Sequence, residues 1–170
     1  MADIPFLIAL SVAHLFIALI GAVFSVFLAL GLLNKMTGHL DEWEELKKGN
    51  VAVGILFLAV ILSVLLMIAP TAFGSISMIQ HFRPALNFAV DLVISLANIF
   101  LASVFSIFAL YVGFQVEDKV TQDIDELKEL KKGNVAVALM IGALLVGIAF
   151  VATPFISEMV SAIGLTSFVK

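Results

Sequence analysis

The side chains with chemistry to offer stand in an unusual setting, because His14, Asn87, Asp91, Ser95, Asn98 and Ser106 all lie within long apolar runs. Polar groups in hydrocarbon mark either helix contacts or a route for ions or protons. On the first run Ser11, His14, Ala18, Gly21, Ala22, Ser25 and Ala29 recur at spacings of three and four and so share one face. On the third run Asn87, Asp91, Ser95, Asn98, Ala102 and Ser106 do the same. Small, weakly polar faces are what helix packing in lipid selects, so the plain reading is a packing seam. The sharper reading is conduction or a proton relay.

Asp91 is the one carboxylate inside an apolar run. A charge at mid-bilayer costs ~2.5–3.5 kcal/mol on insertion scales, and less toward a helix end, where Asp91 is placed. It needs a partner or water: Asn87 is one turn away, with Arg83 or another subunit next. A functional and a structural role for Asp91 both stay open.

Catalytic patterns are absent. A lone intramembrane aspartate cannot form an aspartyl dyad, no HExxH occurs, and Gly74-Ser75-Ile76-Ser77 departs from the Gly-x-Ser-Gly of rhomboid-type proteases. His14, His39 and His81 fall in three segments at three expected depths, which leaves a metal site without support. The expectation is a protein that is not an enzyme and holds no metal or cofactor.

A second set of residues is marked by repetition. Glu45-Leu46-Lys47-Lys48-Gly49-Asn50-Val51-Ala52-Val53 recurs unchanged as Glu129-Leu130-Lys131-Lys132-Gly133-Asn134-Val135-Ala136-Val137, an offset of 84. The same offset pairs Asp41 with Asp125, Glu42 with Glu126, His14 with Asn98 and Pro70 with Pro154. Acids at the start of this motif suit the positive end of a helix dipole, on a helix expected to run through the lysine pair into the membrane. The lysines can snorkel to the headgroups. Gly49 and Gly133 would allow a backbone or headgroup to approach, and Asn50 and Asn134 would hydrogen-bond locally. The bland reading is an interfacial helix entrance. The alternative makes Lys48, Gly49, Asn50, Lys132, Gly133 and Asn134 a headgroup, nucleotide or partner site.

The elements that position these residues follow from composition. The 170 residues are 62% hydrophobic and 13% charged, with mean hydropathy +1.19 and no cysteine. A soluble domain is about 45–50% apolar and about 25% charged, so this is an integral membrane protein, not a disordered chain or a nucleic-acid binder. Spans are expected over residues 4–33, 51–69, 85–116 and 135–153, the second and fourth closing at Pro70 and Pro154. Residues 155–170 would lie at the interface or continue the fourth helix. The class is all-α, with four transmembrane helices in two parallel tandem hairpins, residues 1–84 and 85–170.

Seven of the nine basic residues (Lys35, Lys47, Lys48, Lys119, Lys128, Lys131 and Lys132) fall between spans one and two or three and four. The positive-inside rule puts these loops in the cytoplasm and both termini outside. An acidic start followed by a 30-residue apolar run is not the pattern of a cleaved signal peptide. Each unit re-enters in the same sense, so the halves are expected to be related by an axis along the membrane normal. His14 and Asn98 would then share a depth and meet across a pseudo-twofold or face a neighbouring subunit.

Tandem hairpins bearing Glu-x-x-Lys-Gly-Asn-x-Ala-Val-Ala and then spaced glycines resemble the YjfL-like family, small multi-pass membrane proteins of bacteria and archaea grouped as a domain of unknown function. The second unit carries the fuller match, with Glu129, Lys132, Gly133, Asn134, Ala136, Val137, Ala138, Gly142 and Gly147. The first keeps Glu45, Lys48, Gly49, Asn50, Ala52 and Val53 but has Gly54, Leu58 and Ser63 at the last three positions. The resemblance spans both hairpins and implies fold, topology and a prokaryotic plasma membrane, without an activity. Two functions remain. One is a homo-oligomer whose polar stripes line a route for ions or small solutes, since four such helices can hardly enclose water alone. The other is a non-transporting subunit or scaffold whose cytoplasmic loops dock a protein partner. Membrane lipids surround either.

Overall fold

The computed structural model describes residues 4–38, 40–80, 88–120 and 125–163. Asn87, His39, His81, Arg83 and residues 164–170 lie outside them. Among the described residues the regular elements are all helices: α1 (Ile4–Met36), α2 (Glu42–Lys47), α3 (Val51–Gln80), α4 (Phe88–Val120), α5 (Glu126–Lys131) and α6 (Val135–Ile163). In hydrocarbon every backbone N–H and C=O must find its partner within the protein, which an apolar helix achieves alone. Four helices are long and apolar enough to cross a membrane, and their spans are Ser11–Met36, Val51–Ala72, Leu92–Val116 and Val135–Ile163. The four-span, two-hairpin reading therefore holds.

Pro70 and Pro154 do not close their helices, contrary to the sequence reading. Both stand inside α3 and α6, which continue to Gln80 and Ile163. Proline withdraws one N–H and orphans the carbonyl four residues before it, here that of Leu66 for Pro70. The Thr153 hydroxyl, which bonds Ala149 O at 2.7 Å, lies 3.5 Å from Leu66 O. Membrane helices tolerate proline where a neighbouring helix brings polar groups near the freed backbone. The stretch beyond Pro154 thus continues the fourth helix as far as Ile163.

The long helices are arranged in the ring order α1, α3, α6, α4. α3 and α6 form the largest contact, α1 lies on α3, α4 on α6, and α1 on α4. α3 also meets α4 across the short diagonal, and no comparable α1–α6 contact is present among the described residues. Helix α3 is consequently the centre, with 56% of its span buried against 17% for α1. Val53, Leu56, Val60, Val64 and Met67 of α3 pack with Leu33, Leu110 and Leu145 of the other three helices. Small residues set the spacing: a Cβ built on Gly142 would come 3.1 Å from the Ala59 Cβ, and one on Gly21 would strike Ile99. Outward-facing Phe16, Phe27, Phe100, Phe108 and Phe150 present the lipid surface.

The expected pseudo-twofold is not formed. A twofold exchanging α1 with α4 and α3 with α6 would place α1 against α6 wherever α3 meets α4, and it does not. The repeats run parallel but stand side by side, head to tail.

Candidate functional site

The repeated motif folds into two superposable corners, one at the head of α3 and one at the head of α6. Asp41 caps α2 by accepting from Glu44 N at 3.0 Å, and Asp125 caps α5 by accepting from Lys128 N at 3.0 Å. Each short helix ends at a glycine in the left-handed region, Gly49 at φ 80° and Gly133 at φ 78°. Gly49 N bonds Leu46 O and Asn50 N bonds Glu45 O, with the same pair at Gly133 and Asn134. This is a Schellman termination, for which glycine is the favoured residue. No helix runs continuously from the acids into the membrane, and the sequence expectation on that point is corrected: the chain stops at the glycine and restarts. Gly49 is required by its φ and not by crowding, since a Cβ added there would meet nothing within 4 Å.

Asparagine performs the restart. Asn50 Oδ1 accepts from Ala52 N at 3.1 Å and Val53 N at 3.3 Å, and Asn134 Oδ1 accepts from Ala136 N and Val137 N at 3.1 and 3.4 Å. The amide nitrogens donate to Glu45 Oε2 and Glu129 Oε2 at 2.9 and 2.8 Å. The other oxygen of each glutamate receives the lysine, Lys48 at 3.0 Å and Lys132 at 2.5 Å. Hydrogen bonds from Asn50 and then Lys48 hold the Glu45 carboxyl below its ordinary value, and Asn134 and then Lys132 do the same for Glu129. Lys48 is raised in turn by Glu44 and Glu45. Glutamate, lysine and asparagine of the motif are thereby engaged within their own corner.

One bond breaks the equivalence. Asn50 Nδ2 also donates across the repeats to Leu130 O at 2.9 Å, whereas Asn134 makes no such bond to Leu46 O. Beside the first corner, buried Glu42 accepts from the Thr37 hydroxyl. Thr121 and Glu126 repeat this pair in sequence, and Thr121 lies outside the described residues. The Thr37 role was missed from the sequence, although its recurrence at the 84-residue offset is a usable signal.

Along the membrane stripes His14, Ser95, Asn98 and Ser106 are all buried, as are Gly21, Ser25, Ala29 and Ala102. Asp91 lies within α4 with its side chain outside the described set, and Asn87 lies outside altogether. The stripes meet at Ser25 and Ser103, whose hydroxyls are 2.5 Å apart, and at Gly21 against Ile99. Ser103 escaped the sequence reading because it stands one position beyond Ala102 on the stripe. Each hydroxyl also lies within reach of its own helix, Ser25 of Gly21 O at 2.6 Å and Ser103 of Ile99 O at 2.7 Å. With one proton apiece, one serine bonds across and the other bonds back.

Both contacts join positions 78 apart, short of the 84-residue repeat. His14 and Asn98 are therefore out of register by six residues, ~9 Å along a helix, and do not face one another as expected. Asn98 Oδ1 is buried without a hydrogen-bond partner. Ser63 and Ser106 bond back to Ala59 O and Ala102 O, each at 2.7 Å. Among the described residues no three metal-binding side chains gather.

Fold and corners define an all-α membrane protein made of two tandem helical hairpins, each opened by the same capped turn. The family model described as Domain of Unknown Function (DUF350) matches the chain twice, over residues 6–96 and 91–169. The chain belongs to this family, one copy of the domain per hairpin. No curated protein matches the chain. No solved structure matches it either.

Proposed function

We propose that the chain is a non-transporting, non-catalytic membrane subunit whose hairpins are packed closed and whose two corners present acids and lysines to a protein partner. The observation that carries this is the spending of the interhelical hydroxyls. Ser25, Ser63, Ser103 and Ser106 are satisfied by backbone four residues back or by one another. Toward the corners the space between helices is filled by buried Leu33, Leu110, Phe114 and Leu145. A route for ions needs groups free to replace lost hydration, and an apolar constriction sheds water. Any passage would have to run between copies. The lysine distribution supports corners in the cytoplasm and termini outside, and the resemblance to small membrane proteins of bacteria and archaea supports a prokaryotic plasma membrane.

The test is flux in reconstituted liposomes. Proton, potassium, sodium and glycerol movement is expected to equal that of empty vesicles over a range of voltage and pH. Asn98→Leu should leave flux unchanged and should not destabilise the fold, because it removes a buried, unpaired oxygen whose desolvation costs ~1–3 kcal/mol. A wild-type cation current that Asp91→Asn weakens and Asn98→Leu cuts would overturn the reading in favour of a pore.

A further inference from the structure

The two repeats meet through non-equivalent faces, and the faces left over correspond to the ones used. On α3, Ala52, Leu56, Ala59, Ser63 and Met67 are buried, and Ala59 meets Gly142 of α6. Their repeat equivalents on α6 (Ala136, Met140, Ala143, Gly147 and Val151) are all exposed. Conversely Gly142, Leu145 and Ala149 of α6 are buried, whereas their equivalents Leu58 and Leu65 on α3 are exposed and Ile61 is half-buried. The first helices repeat the pattern: Ile99 and Ser103 of α4 are covered by α1, and their equivalents Leu15 and Leu19 are more than half exposed.

We propose that copies of this chain associate side by side in the membrane in head-to-tail order, the α6–α4 edge of one copy seated on the α3–α1 edge of the next. The contact between the hairpins supplies the template: Ala59 meets Gly142 within the chain, so Ala143 of one copy meets Leu58 of the next. Residue sizes are exchanged in compensation. Within the chain the notch is Gly142 on the receiving face. Between copies that position is the knob Leu58, 63% exposed, and the notch moves to the donating face, where Gly147 stands in place of Ser63 with open space around it. Asn134 supplies an independent indication. Its counterpart Asn50 donates to Leu130 O in the following hairpin, and Asn134 stands ready to make that bond to Leu46 O of a following copy. A contact between unlike faces does not saturate on pairing; it closes into a ring or extends as a row.

The chain has no cysteine, so introduced pairs report directly. Leu58→Cys and Ala143→Cys, on differently tagged copies expressed together, should form a disulfide under mild oxidation in native membranes. Each variant alone should form none, and the double variant should give a ladder beyond the dimer. Leu58→Cys with Phe108→Cys should not react, because Phe108 is exposed and its repeat equivalent Phe24 stays exposed in the contact within the chain. Gly147→Leu fills the notch and should abolish the Leu58–Ala143 link while membrane insertion and melting of the protomer stay unchanged. Self-linking of Ala143→Cys, which would signal a twofold contact, overturns the proposal. So does the absence of a link in the mixed pair when both variants insert normally.

Discussion

At the scale of single residues, asparagine does the most at the corners. Asn50 caps α3, holds Glu45 and reaches Leu130 O, while Asn134 performs only the first two tasks within its own chain. Loss of a helix cap costs ~1 kcal/mol, and one further hydrogen bond adds about 1 kcal/mol. In detergent-dispersed monomer, Asn50→Ala is therefore expected to melt below Asn134→Ala, the gap corresponding to about one hydrogen bond. Equal losses would show that the cross-repeat bond is not made. The motif's importance was legible, because nine identical residues at one offset stand out in any sequence. Its geometry was not. A lysine pair before an apolar run reads equally as a continuous helix entrance, and only the positive φ of Gly49 and Gly133 shows that one helix stops and another starts.

At the scale of elements, the spans were legible because hydropathy alone dictates them, and their ends were not. Proline is a helix breaker in water, yet Pro70 and Pro154 sit within α3 and α6, with Thr153 close to the Leu66 carbonyl that Pro70 orphans. No local pattern announces a neighbour that belongs to a helix more than eighty residues away. The glycines of α6 show the same dependence on packing. Gly142 abuts Ala59, whereas Gly147 borders open space in the protomer, although the sequence sets both as spaced glycines of one motif. Gly142→Leu should cost about 1–3 kcal/mol by overpacking. Gly147→Leu should stay within about 0.5 kcal/mol in monomeric protein. Urea or thermal unfolding in detergent distinguishes them, and similar losses at both sites would place Gly147 in a tight interior contact instead.

At the scale of the molecule, the decisive feature is how the hairpins are related. Parallel insertion followed from counting spans per repeat, but a twofold and a lateral displacement share that topology and differ only in which faces meet. The exposed Leu58 beside buried Ala59, and the buried Gly142 beside exposed Ala143, choose displacement. Both relations place the two corners at one membrane face, and the orientation of that face has its own test. Lys48→Cys and Lys132→Cys sit at exposed positions whose ion pairs contribute little to stability. In intact cells both should be shielded from an impermeant thiol reagent added outside and should react after permeabilisation, while Ser77→Cys should react from outside. Labelling of both lysine positions from outside would invert the topology and remove the corners from any cytoplasmic partner. Labelling of Lys48→Cys and Lys132→Cys from opposite sides would break the parallel relation itself. The head-to-tail row would fall with it, since an edge of α6 and α4 can meet an edge of α3 and α1 in a neighbouring copy only when every hairpin enters the membrane in the same sense.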